Sequence, residues 1–200
     1  MIKGNSTEKC GGGIYCKISS NAIIRNNIIT KNHAIGGGGG IACRDSRPEI
    51  INNVITGNSA DSMGGGLHFE KDGNALVCNS IILGNGLYSG YEISMDGGYP
   101  EFKYCNMPKA MDGEGNIEAE PYFRNAEIGD FHLMSVSCGD RLDSPCIDAG
   151  DPDIHDDSLG CDAGLGTNCS DMGAFGGNRI DIYKTVGSSS VITPAGDSEK

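Results

Sequence analysis

Gly38-Gly39-Gly40-Ile41-Ala42-Cys43 decides the reading of this sequence, because the chain carries its pattern, Gly-Gly-Gly followed by an apolar residue, three times. Gly11-Gly12-Gly13-Ile14-Tyr15-Cys16 stands 27 residues before it, and Gly64-Gly65-Gly66-Leu67-His68-Phe69 stands 26 after it. A further step of 26 reaches Gly90-Tyr91-Glu92-Ile93, a degenerate fourth copy. The second half of the unit repeats in step, as Asn26-Asn27-Ile28-Ile29-Thr30-Lys31-Asn32, Asn52-Asn53-Val54-Ile55-Thr56-Gly57-Asn58 and Asn79-Ser80-Ile81-Ile82-Leu83-Gly84-Asn85. Pro48-Glu49-Ile50 returns two periods later as Pro100-Glu101-Phe102. Four units therefore span about Gly11 to Gly115. A fixed period of this length means stacked units, each burying its apolar face only against its neighbours.

Two architectures use this period, the leucine-rich repeat and the parallel β-helix. The first needs a Leu framework and a helical return; these units instead carry Ile and Val in short alternating runs broken by Gly and Asn. The reading is an all-β parallel β-helix solenoid of three parallel sheets, and its coils resemble the pectin-lyase-like solenoids, which implies a right-handed parallel β-helix. Strand alternation sends Ile14, Ile41 and Leu67 inward with Cys16, Cys43 and Phe69, and turns Tyr15, Ala42 and His68 outward. The Gly triplets supply positive-φ corners. Asn32, Asn58 and Asn85 close each unit, either as a side-chain amide ladder between coils about 4.8 Å apart or as turn formers alone.

Composition agrees. The sequence has 32 Gly, no Trp and only eight Leu, which suits many tight turns better than a helical bundle. A net charge of −12 argues against a nucleic-acid surface, which needs clustered Lys and Arg. No apolar run is long enough for a membrane-spanning helix, so no membrane insertion is expected. No leader motif follows Met1 and the repeat is already running at Gly11, so the chain reads as a piece of a longer protein. Nine Cys suggest an oxidising, extracellular setting. Cys138 is expected to pair with Cys146, and Cys161 with Cys169, each closing a short loop, while Cys16, Cys43, Cys78 and Cys105 are expected to be buried thiols. There is no C-x-x-C, and His33, His68, His132 and His155 form no local ligand pair, so no transition-metal site is expected.

The repeats resemble the β-helix repeat families of secreted bacterial proteins. They are also similar to polymorphic outer-membrane repeats, with Ile29 and Ile82 standing where that motif has Phe before Asn32 and Asn85. Beyond them, Glu120-Pro121-Tyr122-Phe123, Gly129-Asp130-Phe131-His132-Leu133, Ser144-Pro145-Cys146-Ile147-Asp148-Ala149-Gly150-Asp151-Pro152 and Asp171-Met172-Gly173-Ala174-Phe175-Gly176 resemble the terminal module of β-helix proteins of the choice-of-anchor Q type. That resemblance implies a secreted or surface-attached protein and little about activity. The expected organisation is coils over 1–115, a capping module over 116–180 and a tail over 181–200. Phe123, Phe131, Leu133, Ile147 and Phe175 are the expected plug for the open end of the stack.

Candidate chemistry is sparse. Polygalacturonase-like sites resemble N-T-D, D-D, H-G and R-I-K on successive coils, and these coils contain none of them. Tyr15, Arg44, Asp45, Arg47, His68 and Glu70 lie on or just beyond equivalent strands and are the candidate ligand-binding residues, suited to a polysaccharide or cell-surface glycan. In the acidic stretch, Asp148, Asp151, Asp153, Asp156 and Asp157 are candidate calcium ligands, since clustered carboxylates attract a hard cation. The competing reading is that Asp148 and Asp151 cap turns. No cofactor is otherwise expected. The function expected is a non-catalytic, adhesin-like or carbohydrate-binding module at the cell surface; the alternative is the end of a polysaccharide lyase or glycoside hydrolase.

Overall fold

The structure is a computed structural model that describes residues 1–86, 91–109 and 111–177. The tail expected over 181–200 lies outside the described residues. Three four-stranded parallel sheets run along the stack. Sheet one is Ile14–Lys17, Ile41–Arg44, Leu67–Glu70 and Ile93–Asp96; sheet two is Ile23–Arg25, Glu49–Ile51, Leu76–Cys78 and Glu101–Lys103; sheet three is Ile2–Lys3, Ile28–Thr30, Val54–Thr56 and Ile81–Ile82. A fourth, three-stranded sheet was not anticipated. It is made of two-residue strands, Ser6–Thr7, His33–Ala34 and Ser59–Ala60, directly after the ladder asparagines. Those strands are too short for an alternating pattern to reveal them.

Register follows the repeat. Ile14, Ile41, Leu67 and Ile93 are aligned partners, as are Cys16, Cys43 and Phe69. The tube core stacks Ile29, Ile55 and Ile82 from sheet three, Ile24, Ile50, Val77 and Phe102 from sheet two, and Cys16, Cys43 and Phe69 from sheet one. Phe69 and Phe102 meet edge to face at 6.1 Å. The expected buried thiols Cys16, Cys43, Cys78 and Cys105 are all buried and unpaired.

The asparagine ladder is made of side chains. Asn32 Nδ2 donates to Asn58 Oδ1 at 2.9 Å, Asn58 Nδ2 donates to Asn85 Oδ1 at 2.9 Å, and each backbone N–H donates to the same oxygen at 3.0 Å. Asn5 joins it at one end, donating to Asn32 Oδ1 at 2.9 Å, and at the other end Asn85 Nδ2 donates to Glu92 at 3.0 Å. The left-handed residue at this corner is the one before the asparagine: Lys31, Gly57 and Gly84 have positive φ. The turn and the ladder are therefore separate jobs on neighbouring residues.

A different asparagine row does adopt the left-handed conformation: Asn26 (φ 51°), Asn52 (φ 50°) and Asn79 (φ 48°). Their side chains point away from the tube and hold the C-terminal module. Asn26 Nδ2 donates to Ala174 O and Gly176 O, Asn52 Nδ2 to Asp171 O, and Asn79 Nδ2 to Ser170 Oγ. The module thus runs back along three coils instead of sitting on the end of the stack. Phe131, Leu133, Met172 and Ala174 form a second core with Val54 and Ile81, the outward residues of sheet three, and Phe123, Ile147 and Phe175 pack against it. The expected plug is a side buttress. The physical reason is in sheet three itself: Ile28, Val54 and Ile81 make its outer face as apolar as its inner one, and that face needs cover. At the far end the tube core receives Phe102, Cys105 and Met107, with Met111 packed against them.

The disulfide expectations are corrected. Cys138 pairs with Cys161, with Cα atoms 5.6 Å apart, and Cys146 and Cys169 are free. Cys146 is drawn into the second core, where Asn106 Nδ2 donates to its sulfur at 3.1 Å. Arg124 brings the two bonded strands of chain together by pairing with Asp140 at 3.0 Å and donating to Cys161 O at 2.9 Å. Tertiary packing overrode the small entropic preference for the shorter loops.

Candidate functional site

The outer face of sheet one carries the only group of three His, Cys, Asp or Glu side chains close enough to share an ion among the described residues. On the strand Leu67–Glu70, His68 and Glu70 are two apart and so project to the same side. Tyr15 comes from the strand two coils back and Arg44 from the strand between. Tyr15 donates its phenolic O–H to Glu70 Oε1 at 3.1 Å, and Arg44 Nη1 lies 3.6 Å from Glu70 Oε2. Arg44 Nε also faces Asp45 at 3.4 Å. Of the six residues read as ligand-binding, the structure thus unites Tyr15, Arg44, His68 and Glu70 with Asp45 at the margin. Arg47 is exposed and makes no ion pair or side-chain hydrogen bond among the described residues.

This face is not the open platform that alternation suggests. Ala42 is 0 % exposed and His68 4 %, because the chain corners before the Gly triplets fold over them. The cover fits closely: a Cβ at Gly37 would lie 2.8 Å from His68 Cδ2, and one at Gly36 would lie 2.8 Å from Cys10 Sγ. Glycine at both positions is what lets this corner lie so near the side chains beneath it.

Cys10 was not singled out from the sequence. It occupies the corner position that Gly37 and Met63 hold in the next coils, and Gly11, Gly12 and Gly13 bond Gly37, Gly38 and Gly39 across that corner. Counting back one residue from the first Gly triplet would have placed it beside the outward row. The sulfur of Cys10, a ring nitrogen of His68 and a carboxylate oxygen of Glu70 lie within 4.8 Å of one another. Burial, and then the negative charge of Glu70, push the Cys10 thiol up, against the opposing pull of the Gly37 N–H and Arg44. Burial pulls the His68 imidazole down, against Glu70, Asp96 and a hydrogen bond to the Ser94 backbone. Burial and the bond to Glu70 raise Tyr15. The imidazole Nδ1 is buried without a hydrogen-bond partner.

Residues 1–113, more than half the chain, match the family model described as "Right handed beta helix region". The chain belongs to the right-handed β-helix family. No curated protein and no solved structure gave a significant match.

Elsewhere in this β-helix, the five candidate calcium ligands do not converge: among the described residues, no three of them bring one oxygen each within 4.8 Å of the others. Asp148 accepts from Thr167 N at 2.9 Å and Thr167 Oγ1 at 2.7 Å, and Asp151 Oδ1 accepts from Asp153 N at 2.9 Å, as turn caps do. Asp153 and Asp157 are exposed. Asp156 points into the module and accepts the Gly177 N–H, while its Oδ2 is buried without a partner. Burial pushes Asp156 up to about 6. A residue the sequence reading passed over, Asp171, is more deeply placed. It accepts from Leu165 N at 2.7 Å and Asp148 N at 2.8 Å, and burial pushes it up to about 7.

Proposed function

We propose that this β-helix is a non-catalytic module working outside the cell or on its surface, a stiff scaffold that binds glycan weakly. The observation that carries this reading is the closed polar arrangement on sheet one. Tyr15 and Arg44 both engage Glu70, and His68 is covered, so His68 and Glu70 do not stand open as an acid and base pair to a polymer lying across these coils. The Cys138–Cys161 bridge supports an oxidising location. Sugar stacking then falls to Tyr99, which is 78 % exposed just beyond the last strand of sheet one, and to the basic group of Arg47.

The test is affinity electrophoresis of the full chain in gels containing neutral and acidic polysaccharides, together with assays for unsaturated products and new reducing ends. The expected result is a small retardation, reduced by Tyr99→Ala, and no product. Product formation abolished by Arg44→Ala or Arg47→Ala would overturn it in favour of a polysaccharide lyase or glycoside hydrolase.

A further inference from the structure

We propose that Cys10, His68 and Glu70 form a binding site for a zinc-type divalent transition-metal ion on the outer face of sheet one. The donor set is the first argument. A thiolate, an imidazole and a carboxylate suit zinc, whereas calcium and magnesium take oxygen almost alone. Three protein ligands leave the fourth tetrahedral position to water. The three donor atoms already lie within 4.8 Å of one another, although Cys10 is 58 residues before His68 in the chain. Bond lengths of about 2.0 to 2.3 Å around a tetrahedral ion put ligand atoms roughly 3.5 Å apart, so binding draws any pair of them together by no more than about 1.3 Å.

His68 is 96 % removed from solvent, yet its Nδ1 has no hydrogen-bond partner. Buried imidazoles are ordinarily satisfied, and a neutral imidazole is the form that binds a metal. The surroundings also fit a ligand set: Tyr15 and Arg44 fix the orientation of Glu70. On binding, the Cys10 thiol releases its proton; thiolate and carboxylate together balance the ion's charge, and Arg44 keeps Asp45 as a partner. A cysteine nucleophile activated by His68 is the competing use of these groups.

The experiment uses the full chain, stripped of metal, dialysed against zinc chloride or cobalt chloride and analysed for bound metal. The expected result is about one equivalent of zinc per chain, and with cobalt a thiolate-to-metal charge-transfer band. Cys10→Ala should remove that band. It should weaken zinc binding by more than the roughly 10- to 100-fold that losing a supporting partner produces. Glu70→Gln should weaken zinc while keeping the band, and Cys169→Ala, which changes a thiol in the C-terminal module, should alter neither. Zinc retained equally by wild type and Cys10→Ala, or not retained by folded wild type, overturns the proposal. Should Cys10→Ala fail to fold, alkylation of the wild type decides: zinc protecting Cys10 from iodoacetamide supports the site. Fast alkylation of Cys10 that zinc does not slow overturns it in favour of a nucleophile.

Discussion

Replacing Asn58 by Ala tests whether the interior ladder or the turn beside it holds the coils in register. Asn58 Oδ1 accepts from Asn32 N and Nδ2, and Asn58 Nδ2 donates to Asn85 Oδ1 at 2.9 Å and to Ile29 O at 2.8 Å. Four bonds at about 1 kcal/mol net each give a loss of about 4 kcal/mol, and the orphaned, buried Asn32 N–H adds roughly 1 to 3 more. Asn5→Ala is the matched control. It removes a single ladder bond at an exposed position and leaves the Asn5 backbone N–H in place, so the loss should stay near about 1 kcal/mol. Urea unfolding followed by far-ultraviolet circular dichroism measures both. Losses for the two variants within about 0.5 kcal/mol of each other would refute the reasoning, since a residue acting only in the turn has no use for its buried bonds. The positive φ at Gly57, not Asn58, already assigns the turn elsewhere.

Three further outcomes follow from the C-terminal module. Cys138→Ser should lower stability by about 3 kcal/mol, the loop-entropy value for a bridge spanning 23 residues, and Cys146→Ser should not reproduce that effect through a lost bridge; thiol counting under denaturing conditions with and without reductant checks the pairing. Asp156 and Asp171 have folded-state values raised to about 6 and about 7, so between about pH 4 and 7 the folded chain binds more protons than the unfolded one and these two groups destabilise the fold as pH rises through that window. The lowered His68 acts in the opposite sense, so the comparison is with Asp156→Asn, which should be the more stable at pH 8 and show a shallower fall from pH 5 to 8; an unchanged slope would sink the assignment. Calcium should leave the melting temperature unchanged, because Asp148 and Asp151 serve backbone N–H groups, and a rise on adding calcium would restore the ligand reading.

Much of the tube was legible because a solenoid writes its contacts into its period. Residues 26 or 27 apart are neighbours, so Cys16 on Cys43 and Asn32 on Asn58 can be read by counting, and alternation then assigns Ile14 and Tyr15 to opposite faces. What the period cannot say is which outer faces are covered. Ile28, Val54 and Ile81 repeat as regularly as Ile29, Ile55 and Ile82, and only the C-terminal module lying on them shows that sheet three is buried on both sides. The same limit hid the candidate site. Tyr15, His68 and Glu70 were visible as an outward row, but Cys10 joins them through a corner folding over its own coil, a closeness permitted by Gly36 and Gly37. The sulfur pairing was decided later still. Loop length favoured Cys146 as the partner of Cys138, and Cys169 as the partner of Cys161, by a margin that grows only slowly with separation, and the burial of Cys146 against Asn106 outweighed it. Periodic local contacts are therefore determined by the sequence alone, whereas contacts between the repeat and the non-repeating module depend on apolar surface being matched across more than a hundred residues, which only the tertiary structure resolves.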